Sequence, residues 1–147
     1  ARDAGLRLTS HAGEWGGAQS IWDTLQDLNV ERIGHGVHAI NDPKLVDYLA
    51  ETGIVLEVNP GSNVALGVYP SLAEHPIAKL RDAGVKVTVS TDDPPFFNTT
   101  MTSEFEQLAS VFGWGVDDFK QLNQTALEAA FCDAATKDLI SKRLETV

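Results

Sequence analysis

A strand-like segment followed by a helix-like segment recurs four times along the 147-residue chain, and this repetition constrains the fold more than any other feature. An echo in the letters supports the repeat, because ARDAGLRLTSH at 1–11 resembles LRDAGVKVTVSTDD at 80–93. Strands that alternate with helices predict a parallel sheet in an α/β protein, either doubly wound or barrel-like. The predicted strands span residues 6–11, 32–36, 54–58 and 85–90.

Helix-like patterns occupy the segments between and after these strands. Asp42 can cap a helix that begins at Pro43 and ends at Gly53. A capping box of Ser103 and Glu106 is predicted for the first helix after the last strand. Four βα units are half of an eight-unit barrel, so we predict one segment over 1–147, with four parallel strands and additional C-terminal helices. The predicted helices span residues 18–28, 41–53, 75–84, 103–113, 117–131 and 133–144.

Composition and charge exclude several classes of function. The chain has 11 basic and 21 acidic residues, a formal net charge of −10, and therefore no basic surface to bind nucleic acid or an anionic membrane. Cys132 is the single cysteine, so neither an intrachain disulfide nor a thiolate zinc cluster can form. No apolar run is long enough to span a bilayer. These properties predict a soluble, cytoplasmic protein.

Polar residues able to bind metal or transfer protons follow each predicted strand. Because the carboxyl ends of neighbouring parallel strands share one rim, we expect these residues to converge there. Two imidazoles and three carboxylates on one rim are typical of a metal site with acid–base chemistry. In chain order the residues are His11, Glu14, His35, Asn59, Ser62, Asn63, Asp92 and Asp93.

Each motif taken singly also has an ordinary structural interpretation. A histidine before Ala-Gly at a strand end is often a turn residue, and the glycines around His35 fit a tight turn as well as close approach to a ligand. Asp92 and Asp93 are less ordinary, since adjacent carboxylates repel unless a cation or a proton lies between them. We interpret His38 and His75 as structural residues. Together the remaining motifs favour a functional site.

The motifs SHAGE, RIGHG and STDDP, in this order, resemble the C-terminal half of the adenosine deaminase family, within the metal-dependent amidohydrolases. The resemblance covers essentially the whole chain. It implies half of a (β/α)₈ barrel and a zinc-dependent hydrolytic deamination of adenosine or deoxyadenosine to the inosine-type product and ammonia. The alternatives are an adenine deaminase, and a non-catalytic half-barrel module that retains the motifs.

The resemblance also implies one zinc ion per complete site, with His11 and Asp92 as two of its ligands. The family takes two further ligands from a His-x-His motif at its first barrel strand, and no such motif occurs in this sequence. We therefore expect those ligands to lie outside the chain, which begins at Ala1 and has its only methionine at Met101. On this expectation the chain is part of a longer deaminase and, alone, neither binds zinc tightly nor turns over.

Further roles implied by the resemblance concern the substrate, a purine nucleoside. Glu14 gives a proton to N1 of the purine, His35 orients the zinc-bound water, and Asp93 takes part in a hydrogen bond with N7. Gly13, Glu14 and Asp93 contact the substrate. Asn59 stands where the family usually has a cysteine that is not catalytic. A half-barrel exposes open sheet edges, and these favour self-association with another copy.

Overall fold

The computed structural model describes residues 1–146, apart from the side chain of Arg2. Its strands form one parallel sheet in the order β1-β2-β3-β4, which confirms the predicted α/β architecture. Ile33 of β2 lies opposite Ser10 of β1 and Leu56 of β3, so the strands are in register without a bulge between them. The strands are β1 (Thr9–Ala12), β2 (Arg32–His35), β3 (Val55–Val58) and β4 (Val87–Val89).

Helices follow every strand, as the sequence pattern predicts. The first of them continues as π-helical turns over Thr24–Leu28, and short 3₁₀ segments occur at Arg2–Ala4, Val37–Asn41 and Leu72–Glu74. None of the helices in residues 1–146 is both long and apolar enough to cross a membrane. The α-helices are α1 (Gly17–Asp23), α2 (Pro43–Thr52), α3 (Pro60–Ala65), α4 (Ile77–Asp82), α5 (Pro94–Phe97), α6 (Met101–Phe112), α7 (Val116–Ala129) and α8 (Ala134–Leu144).

One face of the sheet forms the hydrophobic core. Ile33 and Leu56 on neighbouring strands are fully buried, in one apolar cluster with residues of the helices that cover this face. Burying each such side chain stabilises the fold by roughly 1.5–3 kcal/mol. The fully buried α-helical residues of this cluster are Ile21, Leu45, Leu49, Ile77, Leu80 and Leu108.

The opposite face of the sheet is polar, because side chains alternate along a strand. Thr9 Oγ1 donates a hydrogen bond to Glu57 Oε2 at 2.7 Å, and Arg32 Nε lies 3.2 Å from Glu57 Oε1. The side chains of Arg32 and Glu57 retain 18% and 30% of their exposure. This face is the one that would line the interior if the sheet were part of a closed barrel.

Three local predictions need correction. β1 begins at Thr9 rather than residue 6, and β4 spans Val87–Val89 rather than 85–90. The capping box of α6 is formed by Thr100 and Ser103, not by Ser103 and Glu106. Thr100 has an extended backbone and its hydroxyl accepts from the Ser103 N–H, so the helix begins earlier than the sequence indicates.

Candidate active site

Three of the predicted residues form a compact cluster at the carboxyl ends of the strands. The possible ligand atoms of His11, Glu14 and His35 all lie within 4.8 Å of one another. His35 Nε2 is 3.5 Å from Glu14 Oε2 and 3.8 Å from Asp92 Oδ2, so Asp92 adjoins the cluster through His35. The rings of His11 and His35 meet edge to face, with centroids 5.0 Å apart.

The backbone at this rim is strained where the sequence places functional side chains. His35 has φ 61° and Asp92 has φ 58°, both in the left-handed region that non-glycine residues rarely adopt. Such conformations cost on the order of 1–3 kcal/mol each and concentrate at functional sites. His35 is the last residue of β2, and Asp92 follows the end of β4 by three residues.

Gly34 explains how the histidine ring of β1 fits over β2. A Cβ placed on Gly34 would collide with His11 Cδ2, so a side chain there would displace the imidazole. The neighbouring Gly36 has φ 66° and faces the side chain of Leu56. The glycines around His35 therefore make room for another site residue and for the core.

The short helix α3 holds two members of the site in place. Ser62 Oγ donates to Asp92 Oδ2 at 2.7 Å, and Asn63 Nδ2 lies 3.1 Å from His35 Nδ1. Asn59 Nδ2 lies 3.4 Å and 3.5 Å from the two ring nitrogens of His35. The sequence indicates these polar residues at a strand end, but it does not reveal the helix, because Pro60 and Gly61 are typical of a turn.

Electrostatics at the rim favour a neutral His35. Burial lowers the pKa of its imidazole; the carboxylates of Glu14 and Asp92 raise it in opposition, and a positive charge on His11 lowers it further. Its side chain is almost fully inaccessible, with 1% exposure. The imidazole therefore offers one donor nitrogen and one acceptor nitrogen near neutral pH.

Asp93 and Gly13 lie outside the cluster. Asp93 is exposed at the start of α5, and its carboxylate makes no hydrogen bond or ion pair within residues 1–146. Gly13 is buried and has φ 67°, with its N–H donating to Ser20 Oγ at 2.9 Å. A Cβ on Gly13 would collide with Ile21, so the position requires glycine for packing as well as for conformation.

The two histidines interpreted as structural differ in their surroundings. His38 is half-buried, and its Nδ1 lies 3.1 Å from Asn41 Nδ2. His75 is buried, and its Nε2 lies 3.1 Å from Asn63 Oδ1, immediately behind the active-site cluster. Sequence reasoning missed this connection, and the HisPro pair at a helix start gives no signal for it.

The donor set suits a zinc ion. Zinc in proteins binds imidazole nitrogen and carboxylate oxygen, and catalytic sites take about three protein ligands plus water. The rim offers atoms of both kinds: those of His11, Glu14 and His35 lie within 4.8 Å of one another, and Asp92 Oδ2 lies 3.8 Å from His35 Nε2. Cys132 is half-buried in the segment between α7 and α8, away from the strand ends.

Known proteins with similar sequences are deaminases. The whole chain, residues 1–147, matches the family described as adenosine deaminase. It is 53% identical over 144 residues to the adenine deaminase of Rhizobium johnstonii, covering 98% of this chain and 45% of that protein. The chain thus spans a little under half the length of the curated relatives it matches.

Solved structures agree with the sequence relatives. The adenine deaminase of Arthrobacter aurescens superposes with a TM-score of 0.95 at 35% identity, over 99% of this chain and 45% of that one. A zinc-bound amidohydrolase from Burkholderia ambifaria gives 0.83 at 31% identity, over 100% and 44%. These structures are barrels of the kind that the sequence predicted, and zinc is present in one of them. The chain belongs to the adenosine deaminase family.

Proposed function

We propose that the protein containing this chain removes the 6-amino group of adenine by hydrolysis, releasing ammonia. The observation that carries the proposal is the cluster of His11, Glu14 and His35 beside Asp92, in a chain whose similar relatives are named adenine deaminase. The sequence motifs favoured adenosine or deoxyadenosine, with adenine as the alternative. The relatives favour that alternative, and adenosine is the second candidate because the family as a whole carries that name.

The metal in this proposal is a single zinc ion. His11 and Asp92 would hold it from this chain, together with two histidines from the rest of the protein. When bound, zinc polarises a water molecule and makes it nucleophilic near neutral pH. The hydrogen bond from Ser62 Oγ to Asp92 Oδ2 at 2.7 Å fixes the orientation of that carboxylate, as supporting groups do around metal ligands.

The other residues act on the purine. Attack at C6 disrupts the aromatic ring, so N1 must receive a proton as charge develops. Glu14, which is half-buried and within 3.5 Å of His35, supplies this proton from its carboxylic acid form. His35 contributes a hydrogen bond to the attacking oxygen. In this proposal Asp93 and Gly13 bind the purine, and the carboxylate of Asp93 is exposed and so accessible to a ligand.

The substrate assignment is tested by steady-state kinetics on the full-length protein. We expect kcat/KM for adenine to exceed that for adenosine by at least about 10²-fold, since a pocket closed around a free base excludes the ribose. A higher value for adenosine would overturn the assignment. Failure to deaminate either compound with zinc bound would instead support a non-catalytic module.

We also propose how residues 1–147 behave when produced alone, as one half-barrel segment. The polar inner face with Thr9, Arg32 and Glu57 then faces solvent, and β1 and β4 are open edges. We expect self-association and no tight zinc binding or turnover. Sedimentation and zinc titration check this, and a monomer that binds zinc stoichiometrically and deaminates would contradict it.

A further inference from the structure

Three buried polar side chains form a line behind the active-site cluster. Asn63 is fully buried, while His75 and His35 are 2% and 1% exposed. His75 Nε2 lies 3.1 Å from Asn63 Oδ1, and Asn63 Nδ2 lies 3.1 Å from His35 Nδ1. Buried polar groups are costly unless their donors and acceptors match, so the direction of each hydrogen bond in this line is constrained.

The backbone N–H of Ile77 determines which nitrogen of His75 carries the hydrogen. The Ile77 N–H donates to His75 Nδ1 at 3.2 Å, and a backbone N–H can only donate, so His75 Nδ1 carries no hydrogen. Burial lowers the pKa of His75 to about 4, which leaves the ring neutral at pH 7. Its single hydrogen is therefore on Nε2 and points to the Asn63 carbonyl oxygen.

The orientation of the Asn63 amide in turn determines the direction of its hydrogen bond with His35. Because Asn63 accepts through Oδ1, its Nδ2 must face His35 and donate to His35 Nδ1. Asn59 Nδ2 lies almost equally far from both ring nitrogens of His35, at 3.4 Å and 3.5 Å, so it does not select between them. Because His35 Nδ1 accepts the hydrogen bond from Asn63 it carries no hydrogen, so the ring hydrogen of His35 is on Nε2. That nitrogen lies 3.5 Å from Glu14 Oε2 and 3.8 Å from Asp92 Oδ2, and the Asp92 oxygen already accepts a hydrogen bond from Ser62 Oγ.

We propose that His75 and Asn63 are positioning residues that hold His35 as the Nε2–H tautomer. His35 then presents a hydrogen-bond donor to the reacting oxygen and cannot serve as the base that removes the proton of water. The catalytic consequence rests on the proposed deaminase function, whereas the tautomer does not. The two can therefore be tested separately.

The tautomer is measured by ¹⁵N NMR on the zinc-free, full-length protein labelled at histidine, since the two ring nitrogens differ in shift when only one is protonated. We expect the pattern of a protonated Nε2 at His35 and at His75. Asn63→Asp places an acceptor where Nδ2 was, so His35 should change to the Nδ1–H form. Asn41→Asp is the matched control, because Asn41 contacts His38 Nδ1 at 3.1 Å and should leave His35 unchanged.

A second pair of variants tests the proposal even if Asn63→Asp does not fold. His75→Gln retains a donor for Asn63 Oδ1 and should preserve the His35 tautomer. His75→Leu removes that donor, which frees the Asn63 amide to rotate and should give a mixture of tautomers. An Nδ1–H form of His35 in the unmodified protein, or the same tautomer in all of these variants, would overturn the proposal.

Kinetics on the zinc-loaded protein separate positioning from stability. Losing one preorganised donor to a reacting oxygen costs about 10²–10³-fold in kcat. We expect a kcat loss of that size for Asn63→Asp with KM within about threefold, and substantial recovery in His75→Gln relative to His75→Leu. Equal kcat losses in the two His75 variants would contradict the positioning role. A protein with the expected tautomers but no deamination would refute the proposed function alone.

Discussion

The carboxyl and amino ends of the sheet differ in how their polar side chains are arranged. At the carboxyl ends, His35 and Asp92 adopt left-handed backbone conformations and direct polar groups toward one point. At the amino ends, charges are satisfied in pairs: the Arg7 guanidinium lies 2.7 Å from Glu31, and that of Arg32 lies over the Phe131 ring at 3.6 Å. We call these ends the rim and the base.

The two ends differ in the arrangement of their polar side chains and not in backbone strain alone, since Asn29 at the amino end also has a left-handed backbone, with φ 47°. Rim side chains converge although their charges compete, which costs free energy that the buried core must offset. Base side chains each have a partner of opposite charge or an aromatic face, so they stabilise the fold without converging on a ligand. Substitutions at the rim should therefore change catalysis or zinc binding, and substitutions at the base should change only the free energy of unfolding.

The largest contrast is expected between two glutamates. Glu14→Gln removes the proposed proton donor at the rim, and we expect kcat to fall about 10²–10⁴-fold with zinc retained. Glu57→Gln weakens the contact with Arg32 below the rim, and we expect a stability loss of about 1 kcal/mol with little change in kcat. Kinetics and urea unfolding of the full-length variants measure both. A kcat loss in Glu57→Gln as large as in Glu14→Gln would contradict the separation of catalytic from stabilising residues.

Acid should weaken the rim before the base. His75 has its pKa lowered to about 4 by burial, against about 6.5 when unfolded, so the unfolded state binds the proton first. Stability from this group is full above pH 6.5 and falls as pH decreases, by about 3 kcal/mol at pH 4. The Glu31 carboxyl, whose pKa is lowered by its hydrogen bond with Arg7, loses its contribution only at pH below 4.5.

Urea unfolding of the zinc-free protein between pH 7 and 4 checks this order. His75→Gln has no titrating ring at that position, so its stability should depend less on pH in the same interval. Parallel curves for the unmodified protein and this variant would contradict the assignment to His75.

Two glycine substitutions, one at the rim and one at the base, give a further test of this comparison. Gly34→Ala places a methyl group against the His11 ring, and we expect zinc affinity to fall about 10–100-fold as that ring is displaced. Gly53→Ala at the base differs in kind, because Gly53 has φ 68° whereas Gly34 is not in the left-handed region, and its methyl group would be 3.8 Å from Lys86. We expect it to cost about 1–2 kcal/mol of stability without altering zinc affinity. Calorimetric zinc titration distinguishes the two outcomes.

The smallest effect is expected at an exposed ion pair of the base. Lys86 Nζ lies 3.5 Å from Glu128 Oε2, and both side chains are about half exposed, at 48% and 55%. Such pairs contribute about 0–1 kcal/mol, so Lys86→Met should leave unfolding midpoint, zinc affinity and kcat nearly unchanged. A clear loss of kcat would show that a substitution at the base alters catalysis at the rim.

Much of this arrangement could be predicted from sequence, because it depends on local pattern. Alternating strands and helices gave the parallel order, and the residues past each strand included His11, His35 and Asp92. The connection from His75 to His35 could not be predicted, since it spans 40 positions and passes through a buried asparagine. The α6 cap was misplaced by three residues because Ser103 and Thr100 both fit the cap pattern and only the backbone decides between them.

On the proposed function, the rim binds zinc and the adjacent carboxylates of Asp92 and Asp93 have separate tasks. Asp92→Asn and Asp93→Asn in the full-length protein test it directly through bound zinc, measured by mass spectrometry of metal content after dialysis. We predict that Asp92→Asn loses zinc, while Asp93→Asn retains one zinc per chain and loses activity. Full zinc retention in Asp92→Asn, or zinc loss in Asp93→Asn alone, would contradict the assignment.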